Sequence, residues 1–176
     1  MGAIRDWRNS LLVRATTKGY GSSAELNGRG DVWVEFQPGM YRSLTEAALE
    51  RELAQLARAL WVRRTASYED MLTTAFGSNA PVKRPAATPE EAALDQELAR
   101  LVAQGASADG RVRIGLRGGS QWRVAIAPGT VRALRESEFN VRVREAVAAL
   151  IRDQVAKTRE VRARIYGPAG SRRTAR

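Results

Sequence analysis

Arginines alternate with apolar residues along one stretch of the chain, and their guanidinium groups are the side chains best suited to bind a ligand. The stretch is RVRIGLRGGSQWRVAI (111–126), in which apolar residues take every second position of each half. This alternation predicts two half-buried strands with the arginines on the outward face. Guanidinium groups spaced along a strand can contact phosphates bidentately. The sequence therefore predicts a nucleic-acid-binding set, Arg111, Arg113, Arg117 and Arg123; a merely solvated strand face is the alternative.

A second basic set lies near the end of the chain, on a segment with helical periodicity. Up to residue 156 its arginines are interleaved with acidic residues, which is typical of ordinary pairing on a helix surface. Beyond that point only Glu160 opposes the positive charges. We therefore predict further phosphate contacts from Lys157, Arg159, Arg162 and Arg164.

The net charge is unevenly distributed along the chain. Residues 1–70 contain ten Lys or Arg and nine Asp or Glu, whereas residues 71–176 contain nineteen and ten, within a total net charge of +10. A positive field of this size favours polyanions, so the expected partner is double-stranded DNA or an acidic protein. No motif for reading bases is present, and we expect DNA binding to be largely independent of sequence.

The residue types argue against an enzyme. The chain has no cysteine and no histidine, which disfavours zinc, haem and iron–sulfur sites and removes histidine-based catalysis. The carboxylate pairs Glu69-Asp70 and Glu90-Glu91 adjoin helix ends, and Arg29-Gly30-Asp31 reads as a turn. We expect no catalytic centre, no cofactor and no metal. Neither a signal peptide nor a spanning helix is recognisable, so we expect a cytoplasmic protein without a membrane partner.

An internal repeat organises the chain. Residues 26–60 align without gaps on residues 116–150, with ten identities in 35 positions. The identities include the turn pairs Gly28/Gly118, Pro38/Pro128 and Gly39/Gly129 together with apolar positions. Turn and core residues rarely stay in register by chance, so the repeat predicts two copies of one structural unit.

Each copy is predicted to contain a helix, an antiparallel hairpin and a long helix. The leading helices are predicted at 4–13 and from Pro89 to about 102, and the second long helix is predicted to end near Tyr166. Ser43 with Glu46 resembles a capping box for the first long helix. Four segments follow: a first unit (1–77), a proline-rich linker (78–88), a second unit (89–166) and a basic, disordered tail (167–176).

The order of elements and their turn residues resemble the YbaB/EbfC family of nucleoid-associated proteins. The resemblance covers about residues 89–166 and rests on Asp109-Gly110, Gly118, Val124, Ile126 and Pro128. The first copy departs from it, since Gly19-Tyr20 stands where Asp-Gly is expected. Members of the family are small DNA-binding homodimers, which implies a nucleoid location and a chain that mimics such a dimer.

The resemblance also extends to accessory proteins of actinobacterial type VII secretion loci, and the arginine- and alanine-rich composition suits such an organism. A protein-interaction module without a DNA role is therefore the alternative function.

The fold class is predicted as α+β, with two units of helix, hairpin or three-strand sheet, and long helix, packed as a pseudo-dimer. Two independent units are the alternative, and further self-association stays open. We expect Trp7, Trp61 and Trp122 in the core or in the packing between the halves. Trp33 is expected to point outward and to cover the other half, with stacking on a partner as the alternative.

Overall fold

The computed structural model describes residues 2–77 and 86–167, and within them the fold is α+β, as predicted. Six helices and two three-stranded antiparallel sheets make up this part of the chain. The predicted linker lies mostly outside the described residues, as does the predicted tail except for Gly167.

The two copies have the same order of elements. The first contains α1 (Gly2–Ser10), β1 (Leu12–Thr16), β2 (Ser23–Asn27), β3 (Val32–Glu35), α2 (Met40–Ser43) and α3 (Glu46–Phe76). The second contains α4 (Pro89–Arg100), β4 (Val102–Ala106), β5 (Val112–Arg117), β6 (Gln121–Ile126), α5 (Thr130–Ala133) and α6 (Glu136–Tyr166). In each sheet the strands follow chain order, β1-β2-β3 and β4-β5-β6.

The first strand of each sheet replaces what the sequence predicted as the end of a helix. The helix predicted at 4–13 ends at Ser10, and the one predicted to reach 102 ends at Arg100. The chain then becomes extended because its backbone bonds the neighbouring strand: Gly28 N donates to Leu11 O and Gly118 N to Leu101 O, both at 3.0 Å. Pairing with β2 and β5 thus overrides the apolar spacing that suggested a longer helix.

The structure explains why both copies have glycine at the same positions. A Cβ at Gly28 would overlap the Arg8 carbonyl, and one at Gly118 would lie 2.6 Å from the Ala99 carbonyl. The ends of α1 and α4 therefore pack against these turns. Gly39 and Gly129 precede α2 and α5 with φ of 79° and 78°, a conformation that favours glycine.

The predicted capping box at Ser43 and Glu46 is wrong. Ser43 is the last residue of the short helix α2, and α3 begins after Thr45, whose hydroxyl accepts a hydrogen bond from Ala48 N. A single turn of helix, which the sequence analysis did not resolve, separates the strand from the long helix. At the corresponding position of the second copy, Glu138 caps α6 by accepting from Arg135 N at 2.7 Å.

The two halves share one hydrophobic core. Helix α3 packs on β1 and β2 of its own half and on β6 of the other, while α6 packs on β4, β5 and β3. Phe36, Tyr41 and Phe139 meet between the halves, with ring centroids 5.3–6.4 Å apart. Trp61 and Trp122 also meet there, at 6.2 Å, as the packing prediction for these tryptophans requires.

Polar side chains cross between the halves at two strand edges. Glu50 Oε1 accepts from Ile126 N at 2.8 Å, and Asn140 Oδ1 accepts from Val34 N at 3.1 Å. Glu50 and Asn140 are 90 residues apart, at equivalent positions of the repeat. The long helix of each half therefore covers the last strand of the other; a two-fold relation between the halves stays a prediction.

Candidate nucleic-acid interface

The outward face of the second sheet carries three of the predicted arginines. Arg113 and Arg117 on β5 and Arg123 on β6 are exposed, whereas Val112, Ile114 and Leu116 of β5 are buried. The inward residues pack in the core, so the strand alternation fixes the direction of the arginines. We call Arg113, Arg117 and Arg123 the sheet arginines.

Small residues lie between the sheet arginines. Gly115 pairs with Arg123 across the strands, and Arg113 pairs with Ala125 on one side and Ala106 on the other. With little side-chain volume at these positions, the face is concave, and the arginines line it. The arrangement can place several guanidinium groups around one anionic backbone.

The sheet arginines have no acidic partner within the described part of the chain. No Asp or Glu oxygen of residues 2–77 and 86–167 lies within 4.0 Å of their guanidinium nitrogens. Within this part of the chain no ion pair compensates their charges, and they remain able to pair with an external anion.

Arg111 has a different environment. Its Nε lies 3.7 Å from Asp109 Oδ2, and the same oxygen lies 2.8 Å from Arg142 Nε. Asp109 also accepts from Ser107 Oγ at 2.7 Å and from Arg111 N at 3.1 Å. Burial raises the pKa of the Asp109 carboxyl, but these hydrogen bonds and Arg142 outweigh it and lower the pKa below its ordinary value. The Asp-Gly pair therefore shapes the turn before β5 and holds Arg111.

None of the four predicted cations of α6 lines the concave face of the sheet arginines. Lys157 Nζ donates to Val102 O at 2.9 Å and pairs with Asp153 at 2.8 Å, and Arg164 pairs with Glu97 of α4. Lys157 lowers the pKa of the Asp153 carboxyl, helped by the Gln104 N–H. Arg159 and Arg162 are exposed and line a cavity between α3 and α6. Two of the four cations therefore already serve internal contacts.

The outward face of the first sheet is chemically unlike that of the second. Arg14 pairs with Glu25 on the neighbouring strand, and Glu35 adds a second carboxylate. Trp33 points outward as predicted and is 40 % exposed. The guanidinium carbon of Arg144, from α6 of the other half, lies 5.3 Å from its ring centroid. This face has its charges balanced internally.

Two notable residues were missed from the sequence. Glu52 is only 2 % exposed, and its carboxylate accepts a hydrogen bond from the Thr17 hydroxyl. Arg64 lies over both Trp7 and Trp61, 5.7 Å from each ring centroid, and Trp7 donates to Ser67 at 2.9 Å. The spacing of Trp61 and Arg64, three residues apart on a helix, is the signal that could have indicated the stacking.

Comparison with known proteins gives no relative: no family model, no curated protein and no solved structure matches this chain. None of the described helices is long and apolar enough to cross a membrane. Within residues 2–77 and 86–167, no three Asp or Glu side chains are grouped as a metal site would need.

Proposed function

We propose that this protein binds double-stranded DNA without sequence preference, through the sheet arginines. The observation that carries the proposal is the exposure of three guanidinium groups on one concave face, with no carboxylate of the described residues within ion-pair distance. Guanidinium groups pair well with phosphate because their planar donors match its oxygens. Residues 89–166 contain fourteen Lys or Arg and ten Asp or Glu, and this excess of positive charge favours approach of a polyanion to the second half.

The proposal assigns different parts to the other predicted cations. Arg111 contributes at the rim of the face, since Asp109 already holds it on one side. Lys157, Arg159, Arg162 and Arg164 lie on α6 and would add contacts only where the DNA extends beyond the sheet. Because the face offers arginines and small residues, the recognition is of the phosphate backbone rather than of bases.

The likeness to YbaB/EbfC proteins is part of the same proposal. In it, the two fused halves take the place of the two subunits of a homodimer, and the first half supplies packing surface rather than a second basic face. The expected location is then the nucleoid.

Fluorescence anisotropy with labelled duplexes tests the proposal. If only the three sheet arginines contact phosphates, the slope of log K against log salt is about −2.7, and affinity falls roughly fortyfold between 50 and 200 mM salt. Two duplexes of different sequence should bind equally. The triple variant R113E/R117E/R123E should lose binding at 50 mM salt.

The matched control is R51E/R58E/R63E, which makes the same change in net charge at exposed positions of α3. It should retain most of the affinity. Equal losses in both variants would mean that net charge alone drives binding, and salt-independent or absent binding would refute a phosphate interface. Capture of an acidic protein from nuclease-treated lysate, with no DNA binding, would favour the interaction-module alternative.

A further inference from the structure

An apolar cavity of about 650 Å³ lies between the two long helices. Its walls come from both halves: Leu53 and Leu56 of α3, and Val143 and Leu150 of α6, all of them core residues. The inward faces of the two sheets also line it, and Trp122 is among the lining residues. Its volume falls within the range of ordinary small-molecule sites, roughly 300–1,000 Å³.

The charged residues around the cavity are all of one sign. Five arginines line it and, among the described residues that do so, there is no Asp and no Glu: Arg8, Arg29, Arg64, Arg159 and Arg162. An apolar interior with an exclusively cationic rim is complementary to a molecule that has a long apolar part and an anionic end.

Of the five arginines, Arg64 is the best placed to bind the anionic group of such a molecule. Trp7 and Trp61 hold its guanidinium group, and within the described part of the chain it has neither an ion pair nor a hydrogen bond from its side chain. Burial lowers the pKa of this guanidinium group, as removal from water disfavours the charged form. A desolvated cation without a carboxylate gains strongly from an incoming anion.

Trp122 supplies a second unused polar group. Its indole N–H is buried and has no hydrogen-bond partner among the described residues, although the ring lines the cavity. A buried donor without an acceptor is unfavourable, and a ligand oxygen could accept from it.

We infer that this cavity binds a single-chain anionic amphiphile, a long-chain carboxylate, with its hydrocarbon tail among the core side chains and its carboxylate at Arg64. A small molecule rather than a helix of a partner protein is favoured by the volume, which lies within the range of ordinary small-molecule sites. The inference does not rest on the proposed DNA binding, since the sheet arginines line a different face.

Titration calorimetry with decanoate, dodecanoate and tetradecanoate, each below its micellar concentration, tests the inference. Affinity should rise about fourfold for each added CH₂ while the tail still fits. Dodecyltrimethylammonium, which has the same tail and the opposite charge, should bind far more weakly than dodecanoate. Quenching or shift of the tryptophan fluorescence should accompany dodecanoate binding, since Trp61 and Trp122 line the site.

The variant Arg64→Gln should weaken dodecanoate binding about ten- to a hundredfold, the effect of losing a hydrogen bond to a charged group. Arg63→Gln is the matched control, because Arg63 is the exposed neighbour on the same helix and does not line the cavity. If Arg64→Gln does not fold, R159Q/R162Q removes two exposed rim charges and should weaken binding severalfold.

Several outcomes would overturn the inference. They are the absence of dodecanoate binding, equal binding of the cationic amphiphile, equal losses in Arg63→Gln and Arg64→Gln, or capture of an acidic amphipathic peptide by a protein that ignores dodecanoate. R113E/R117E/R123E should bind dodecanoate like the unchanged protein, so failure of DNA binding and failure of this site are separable.

Discussion

The outward faces of the two sheets have the same strand register but opposite chemistry. Arg14 and Glu25 pair across β1 and β2 in the first sheet, and at the equivalent positions of the second sheet stand Gln104 and Gly115. In place of Arg113, Arg117 and Arg123 the first sheet has Ser23, Asn27 and Trp33. One face is neutralised by its own side chains, and the other leaves three arginines around a glycine.

The inward faces differ much less. Val32 and Val34 in the first half and Trp122 and Val124 in the second contribute to the same core, and both long helices cross to the other half. Residues that fill a shared core are constrained by volume on every side, whereas outward residues are constrained mainly by solvent. The copies have therefore kept their packing and diverged on the surface, and the difference in function should lie there.

The largest expected effect concerns the shared core. Phe139→Ala should lower the free energy of unfolding by about 3–5 kcal/mol, and Leu49→Ala at the equivalent position by about 2–5 kcal/mol, because each leaves a cavity among buried side chains. Urea unfolding followed by circular dichroism measures both. A single transition for the whole chain, shifted by either change, supports one core. Two separate transitions, each shifted by one variant, would show that the two halves unfold independently and do not share a core.

The two halves differ at one core position, where the first has Tyr41 and the second has Val131. Only Tyr41 can titrate, so the effect of pH on stability tests this difference. Burial raises the pKa of the Tyr41 phenol from 10.0 to about 12. The folded state therefore keeps the proton in a range where the unfolded chain releases it, and stability falls as pH rises from 10 towards 12. The loss attributable to Tyr41 is roughly 2–3 kcal/mol at pH 12.

Tyr41→Phe should remove this part of the alkaline sensitivity. At pH 7 its stability should equal or slightly exceed that of the unchanged protein, because the Tyr41 hydroxyl is buried without a hydrogen-bond partner in the described residues. Urea unfolding at pH 7, 10 and 11.5 compares the two. Identical alkaline profiles would show that Tyr41 does not titrate as its burial requires.

Gly115→Glu transfers the carboxylate of the first face to the second. A Cβ at Gly115 would have contacts no closer than 4.0 Å and the backbone φ is not positive, so the position accepts a side chain. The new carboxylate should pair with the sheet arginines and lower DNA affinity about tenfold relative to Gly115→Gln, which has nearly the same shape. Anisotropy at 50 mM salt measures the ratio of the two affinities. Equal affinities of the two variants would show that the sheet arginines do not contribute to DNA binding.

The smallest expected effect comes from removing the acidic residues of the first face. E25Q/E35Q leaves Arg14 without its partner and adds two units of positive charge to the first sheet, which carries none of the sheet arginines. Screening limits such a distant effect, and DNA affinity should rise about two- to threefold at 50 mM salt. A gain above tenfold would indicate that both faces bind DNA, and the contrast between them would then be one of degree.

Much of the fold could be predicted because its signals are local and appear twice. The alternation from Arg111 to Ile126 and the turn residues Gly118 and Gly129 have physical effects within a few residues. A three-strand sheet was one of the predicted forms, but its first strand could not be placed, because Leu11, Val13 and Ala15 follow a helix directly and their period-two burial is too short to stand out beside it. Its place in the fold is set by pairing with β2, which is a non-local interaction.

The direction of the sheet arginines could be predicted, but their lack of partners could not. Lys157 and Arg164 looked equally free in the sequence, and their partners Val102 and Glu97 come from distant positions brought close by α4 and β4. The burial of Glu52 beside Thr17 and the cavity at Arg64 likewise depend on how elements from distant parts of the chain meet. Charge alone does not indicate which cations have a partner.

The side chains that cover strand edges also decide how this protein could grow into larger assemblies. Glu50 occupies the outer edge of β6, Asn140 that of β3, and Asp153 accepts from Gln104 N at the edge of β4. Among the hydrogen bonds of the described residues, none joins a side chain to the outer-edge backbone of β1. Within residues 2–77 and 86–167, three of the four sheet edges thus have a backbone N–H bound to a side chain of a long helix, which makes that group unavailable to a strand from another molecule.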